Sequence, residues 1–241
     1  PVMFWIHGGG NTSGFKGYYD FSTLVESQQV IVVAINYRLG PFGWFSHPVV
    51  QKQAEGLDRS SNFGTLDIIQ ALSWVQQNIS EFGGDAKNVT LFGESAGGHN
   101  VFALLASPLS EGLFQKAISQ SGYLKTNTVE EAINADDDYP RIRRSSSQLF
   151  ASMVDAGVLA DVSTKSAYDV AGNTLMEYYL ELNDQGDVPL TTADGIVISK
   201  EGMLAALADS KNAKDVPVIA GANRDEVTLW MSRHRYFVNA D

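Results

Sequence analysis

The chain is 241 residues long and carries 17 Lys plus Arg against 28 Asp plus Glu, a formal net charge of −11. Hydrophobic residues make up 44% and charged residues 19%, enough apolar surface for one substantial core, which excludes a disordered chain. The only basic run, 141–144, follows the acidic run 136–138; so acidic a chain repels phosphate backbones, and nucleic acid is not an expected partner. There is no cysteine, hence no disulfide framework, thiol nucleophile or cysteine zinc site. No run of about 18 apolar residues is present to span a membrane.

The chain opens at Pro1 directly into an apolar strand at 2–6, with neither an initiator Met nor a signal peptide; the expectation is that it begins inside a domain. A second buried strand is predicted at 30–36. Ile68, Ile69, Leu72, Val75 and Ile79 then mark one stripe of a helix over 67–79, which Phe82-Gly83-Gly84-Asp85 ends. A third strand at 89–92 completes a βαβ unit, which implies a largely parallel sheet with helices on both faces. A weaker strand follows at 116–119. From 123 to 215 helical stretches, 145–158 and 166–182, replace strands, and a last strand returns at 216–220. The predicted organisation is one interrupted domain: a sheet core over 1–122, a mainly helical insertion over 123–215, and a late strand and loop over 216–241.

Two motifs carry chemistry. Gly93-Glu94-Ser95-Ala96-Gly97-Gly98 lies directly between the strand at 89–92 and a helical run at 101–106. A tight strand-to-helix turn lifts a serine hydroxyl above the sheet edge, and its strained backbone needs small flanking residues, here Gly93 and Gly97. The bare pattern also occurs as an ordinary glycine-rich turn; the strand and helix around it distinguish the two. The second motif, His7-Gly8-Gly9-Gly10, ends the first strand. Consecutive glycines let backbone N–H groups approach a tetrahedral oxyanion, where each donor is worth roughly 3 to 4 kcal/mol. The loop lacks both the Gly-Lys-Ser/Thr ending of a phosphate loop and GxGxxG spacing.

These motifs, with Asn36-Tyr37-Arg38-Leu39-Gly40, Asn62-Phe63-Gly64-Thr65-Leu66-Asp67, Phe82-Gly83-Gly84-Asp85 and Gln120-Ser121-Gly122 in this order, closely resemble the type-B carboxylesterase and cholinesterase family. The likeness runs over most of 1–122 and resumes near 216–226. It implies an α/β-hydrolase fold, a mostly parallel twisted sheet with helices on both faces and a helical insertion, incomplete here at both ends. It further implies a Ser-Glu-His triad with Ser95 as nucleophile. The acid lies in Gly221-Ala222-Asn223-Arg224-Asp225-Glu226 and is assigned to Glu226, with Asp225 as the alternative. By the same resemblance Gly9, Gly10 and Ala96 are the oxyanion donors. Ser121 is either a polar neighbour of the acid or a capping hydroxyl. Glu94 either shapes the field of the site and holds water or is a buried hydrogen-bonding carboxylate. Arg38 and Asp67 are expected as a scaffold ion pair, and Trp5, Trp44, Trp74 and Trp230 as core aromatics. The implied substrate is a small-molecule ester, and no metal or organic cofactor is needed.

A triad needs a base, and the chain has four histidines: His7, His47, His99 and His234. In this topology the histidine follows a further strand, and a crossover to one takes a dozen or more residues. His234 lies eight positions after Glu226, too soon for it. His99 lies in the helix behind the serine, His7 in the glycine loop and His47 in a loop. The expectation is therefore an internal fragment of a longer esterase whose catalytic histidine lies outside, with little turnover by itself. The rival is a non-catalytic adhesion or scaffold protein of the same fold, although such relatives tend to lose the nucleophile or the glycines. The absence of cysteine departs from the disulfide-bearing animal cholinesterases and favours a general, bacterial-type carboxylesterase. Asn11 stands where many relatives carry an apolar or aromatic residue, which leaves the pocket shape open.

Overall fold

The computed structural model describes residues 1–52, 54–133, 154, 155, 157, 190–211, 213–226 and 228. Strands β1 (Val2–Ile6), β2 (Ile31–Ala34), β3 (Val89–Glu94), β4 (Lys116–Gln120) and β5 (Val218–Gly221) form one sheet in the order β2-β1-β3-β4-β5. Every pairing is parallel, so each connection crosses a face of the sheet before the chain can rejoin it. The crossing segments carry helices α1 (Ser22–Gln28), α2 (Pro48–Gln51), α3 (Phe63–Asn78), α4 (Ala96–Ala106), α5 (Val129–Ile133) and α6 (Gly202–Ala208). The predicted helices at 145–158 and 166–182 lie outside the described residues, apart from 154, 155 and 157.

Register sets which side chains share a face. Phe4 pairs with Val33 and Leu91, and Leu91 with Ala117. Val2, Phe4, Ile6, Val89, Leu91 and Ala117 form one buried cluster with Ile68, Leu72 and Val75 of α3 and Val101 and Leu104 of α4. Each such side chain contributes about 1.5 to 3 kcal/mol relative to exposure. On the opposite face Trp5 and Phe92 meet Tyr19 and Phe21 at ring separations of 4.8 to 5.6 Å, an aromatic plug beside α1.

Helix α4 is buried at ten of its eleven residues, because it lies between the sheet and the helices α3 and α6. Its last carbonyls need partners, and Lys214 supplies them, its ammonium donating to the carbonyls of Leu105 and Ser107 at 3.3 and 2.6 Å. Trp74 departs from expectation: it is 45% exposed and lies at a tilt against the Phe82 ring rather than entering the core. It sits two positions, or about 200°, from Leu72 on the helix, which turns it off the apolar stripe. Trp5 and Trp44 are buried as expected, and Trp230 lies outside the described residues.

Residues 190–208, read from sequence as part of the helical insertion, pack into the core through Val197, Ile198, Met203 and Ala206. Asp194 organises their entry. One carboxylate oxygen accepts from the Ser60 hydroxyl, the Ser61 amide and the Asn62 side chain at 2.5 to 3.1 Å, and the other from the amides of Ile196, Val197 and Ile198 at 2.9 to 3.2 Å.

Candidate active site

The carboxyl ends of parallel strands all emerge on one edge of the sheet, the place where such folds put their chemistry. Here β3 runs into Ser95, and α4 starts at the next residue. Ser95 has φ 57° and ψ −119°, a conformation non-glycine residues rarely adopt and one that costs of order 1–3 kcal/mol. Two contacts hold it: the Ser95 amide donates to the Gln120 carbonyl at 2.8 Å, and its carbonyl accepts from the His99 amide at 2.9 Å. The turn is so tight that a Cβ on Gly97 would fall within 2.9 Å of the His7 carbonyl oxygen and closer still to that of Ile6. The start of α4 is thereby pressed onto the end of β1.

The segment leaving β1 passes directly over the serine. A Cβ on Gly8 would lie 3.2 Å from the Ser95 Cβ and 3.0 Å from the Glu94 Oε2. Gly9 and Gly10 follow with φ of 102° and 63°. The Gly9 carbonyl accepts from the amides and hydroxyls of Thr12 and Ser13 at 2.9 to 3.1 Å, and the Gly8 carbonyl is 2.8 Å from the His7 Nδ1. In a planar trans peptide the next N–H points opposite its carbonyl. These bonds therefore fix the directions of the Gly9 and Gly10 amides, away from the loop's own turn.

At the far end of the site Glu226 turns back toward β4. Its Oε2 accepts from the Ser121 hydroxyl at 3.0 Å and the Asn223 amide at 2.8 Å. Ser121 itself has φ 53° and its amide donates to the Gly221 carbonyl at 2.7 Å, which lashes the loop after β4 to the end of β5. Asp225, by contrast, projects into solvent beside Arg224, 3.6 Å away. The Glu94 carboxyl is pushed above its usual range by burial and then by the negative charge of Glu226. Arg38 and Asp67 form the expected pair, a two-pronged contact at 2.8 Å for each prong. Among the described residues no cluster of three His, Asp or Glu side chains could hold a metal ion, and no helix is long and apolar enough to cross a membrane.

The family model for carboxylesterases matches residues 1–238. The chain belongs to the carboxylesterase family. It is similar to the para-nitrobenzyl esterase of Bacillus subtilis (strain 168), 39% identical over 234 residues, which cover 96% of this chain and 45% of that carboxylesterase. It is also similar to Carboxylesterase 1E of Mus musculus, 38% identical over 94% of this chain and 39% of the relative. Among solved structures, a PNB esterase superposes with a TM-score of 0.77 at 34% identity, covering 95% of this chain and 46% of the other. The Geobacillus stearothermophilus carboxylesterase EST55 does so with 0.81 at 29%, covering 100% and 47%. The chain thus spans about half the length of the carboxylesterases it matches.

Three of the four histidines are described, and among the described residues none has a ring nitrogen bonded to the Ser95 or Glu226 side chain. His7 stacks on Tyr37 at 4.4 Å and reaches the Gly8 carbonyl; burial lowers its pKa. His47 is buried in a loop. His99 is fully buried, stacked on Tyr123, with Nδ1 2.8 Å from the Tyr123 carbonyl and Nε2 3.3 Å from the Thr191 hydroxyl. His234 lies outside the described residues. The sequence motifs do not single out Tyr37 and Asn100, which bond to residues at the two ends of the glycine loop. Tyr37 sits inside the Asn-Tyr-Arg-Leu-Gly motif, next to Arg38 of the ion pair.

His99 has a consequence for pH. Burial pushes its pKa from 6.5 down to about 4, so between those values the unfolded chain binds the proton and the folded one does not. Stability is then lost as pH falls from 6.5 toward 4, at up to about 1.4 kcal/mol per pH unit. Urea denaturation at pH 7, 5.5 and 4.5 will show the loss, and His99→Gln will flatten it. An equal slope in the variant would assign the loss to carboxylates.

Proposed function

We propose that this chain supplies the nucleophile, the oxyanion site and the acid of a serine carboxylic-ester hydrolase. The Ser95 Oγ attacks the ester carbonyl and passes its proton to a histidine outside the described residues. The resulting oxyanion is stabilised by the amides of Gly9, Gly10 and Ala96, the last at the N-terminus of α4, where helix N–H groups lack intrahelical partners. Collapse of the intermediate expels the alcohol, protonated by that histidine, and leaves an acyl-enzyme. Water, deprotonated by the same histidine, then releases the acid. Glu226 holds the imidazole in orientation and offsets its charge.

The observation that carries this reading is Ser95, held at positive φ between β3 and α4 with the Gly8 backbone against its side chain. The spacing of the acid supports it. The strands β3 and β5 flank β4, so their ends stand about 10 Å apart at about 4.8 Å per strand, a gap that one imidazole with a hydrogen bond at each nitrogen spans. Glu94 lies against the glycine loop, its Oε2 3.0 Å from where a Gly8 Cβ would stand, and shapes the field of the site.

The test uses the protein expressed from its complete coding region. A fluorophosphonate probe will label Ser95, and p-nitrophenyl acetate will be hydrolysed. Glu226→Gln will lower kcat by about 10³- to 10⁴-fold with KM little changed, by analogy with triad acids elsewhere. An unlabelled protein would be a binding member of the fold. A loss on Asp225→Asn as large as on Glu226→Gln would move the acid to the neighbouring position.

A further inference from the structure

The residue after the third glycine does not face the space over Ser95. Asn11 is fully buried, with φ 57°, a left-handed conformation asparagine tolerates better than apolar residues do. Its backbone carbonyl accepts from the Gly40 amide at 2.7 Å, and its side-chain oxygen accepts from the Asn100 amide nitrogen at 2.9 Å. Asn100 is also fully buried and lies on α4, five residues after the nucleophile. Close by, Tyr37 donates to the His7 carbonyl at 2.5 Å, while its ring stacks on His7.

One amide on α4 thus holds the far end of the glycine loop at Asn11, while the Tyr37 hydroxyl holds its near end at His7. The arrangement accepts a cost. The Asn100 Oδ1 is buried without a partner among the described residues, and an unsatisfied buried acceptor is destabilising by about 1–3 kcal/mol. An apolar residue at position 100 would avoid it, so the amide nitrogen is the part the structure uses.

We propose that the Asn11–Asn100 hydrogen bond is a positioning clasp for the oxyanion amides. It couples the Gly8–Gly10 loop to the helix that begins at Ser95, so that donors and nucleophile hold one spacing. The inference rests on the hydrolase reading above and deepens it. Neither residue touches substrate; both act through the loop. The chain therefore does not use position 11 to shape an acyl or alcohol pocket, and the side chain there is selected by its partner on α4.

The experiment is a double-mutant cycle in the protein from its complete coding region, with Asn100→Ala and Asn11→Gly, the latter keeping the positive φ accessible. Rates with p-nitrophenyl acetate are expressed per site titrated by fluorophosphonate, which removes any unfolded fraction. Each single variant will lower kcat about tenfold with KM within about twofold, since loss of oxyanion stabilisation is felt in the transition state rather than in binding. A trifluoromethyl ketone, whose adduct mimics the oxyanion, will bind correspondingly weaker. The double variant will be no worse than either single one. Unchanged kcat per site, a rise confined to KM, or losses that multiply in the double variant would each overturn the clasp while leaving the hydrolase reading intact. An unlabelled, inactive wild type would overturn the hydrolase reading first and the clasp with it.

Discussion

Replacing Ser95 by glycine will abolish turnover and stabilise the fold at the same time. The two effects have separate causes. In the proposed reaction the hydroxyl is the atom that bonds to the acyl carbon; without it the remaining donors sustain only residual catalysis, so kcat falls by roughly 10⁴-fold or more. Stability moves the other way because φ 57° and ψ −119° are adopted by glycine without the clash that an L side chain meets there. Relief of about 1–3 kcal/mol of strain is partly offset by about 0.5–1 kcal/mol of extra backbone entropy in the unfolded chain. The expected net gain is about 1 kcal/mol, read as a higher urea midpoint at constant slope. Ser95→Ala will be equally inactive but no more stable. A Ser95→Gly protein that melts lower than wild type would mean that the turn stores no strain.

The second large effect concerns Gly97, two residues on. A methyl group there would overlap the Ile6 carbonyl and lie 2.9 Å from the His7 carbonyl oxygen, and Ile6 is strand backbone that cannot rotate away. Helix α4 must then lift off β1, opening the packing of Ile6 against α4 and shifting the loop that starts at His7. Gly97→Ala will cost about 3 kcal/mol, the upper end of the usual range for overpacking. It will also depress kcat in whatever fraction still folds. Gly221→Ala is the control: no atom of the described residues lies within 4 Å of its added Cβ, and it will change stability by less than about 0.5 kcal/mol. Equal midpoints for the two variants would show that α4 does not bear on β1.

What the sequence revealed and what it hid divide along the range of the forces involved. Near-continuous apolar runs such as Val2–Ile6 report strands buried on both faces, and β1 runs over the residues expected of it. The glycines flanking Ser95 report a local steric need, so the turn was legible before any coordinates. Strand ends were not. The second strand was read over 30–36 and occupies Ile31–Ala34, because beyond Ala34 the chain leaves the sheet for the Tyr37 and Arg38 contacts. Pairs separated by 89 residues, as for Asn11 and Asn100, or by 132, as for Asn62 and Asp194, leave no periodicity behind. Nothing in a run of helical character over 123–215 signals that residues 190–208 return to the core. Trp74 misled because its residue type suggested burial and its helical phase did not. The choice between Asp225 and Glu226 was likewise left to a motif, whereas in three dimensions one side chain is turned to Ser121 and the other to bulk water.

Helix α4 begins directly after Ser95, carries the Asn100 amide bonded to Asn11, holds the fixed imidazole of His99 one turn in, and is clamped at its rear by Lys214. Because that single rod is enclosed on all sides, no reacting group on it can loosen by itself. Peripheral segments are free to diverge and to admit differently shaped substrates while the distances that govern bond making stay constant, a separation of tasks that lets one scaffold acquire new selectivities without relearning its chemistry.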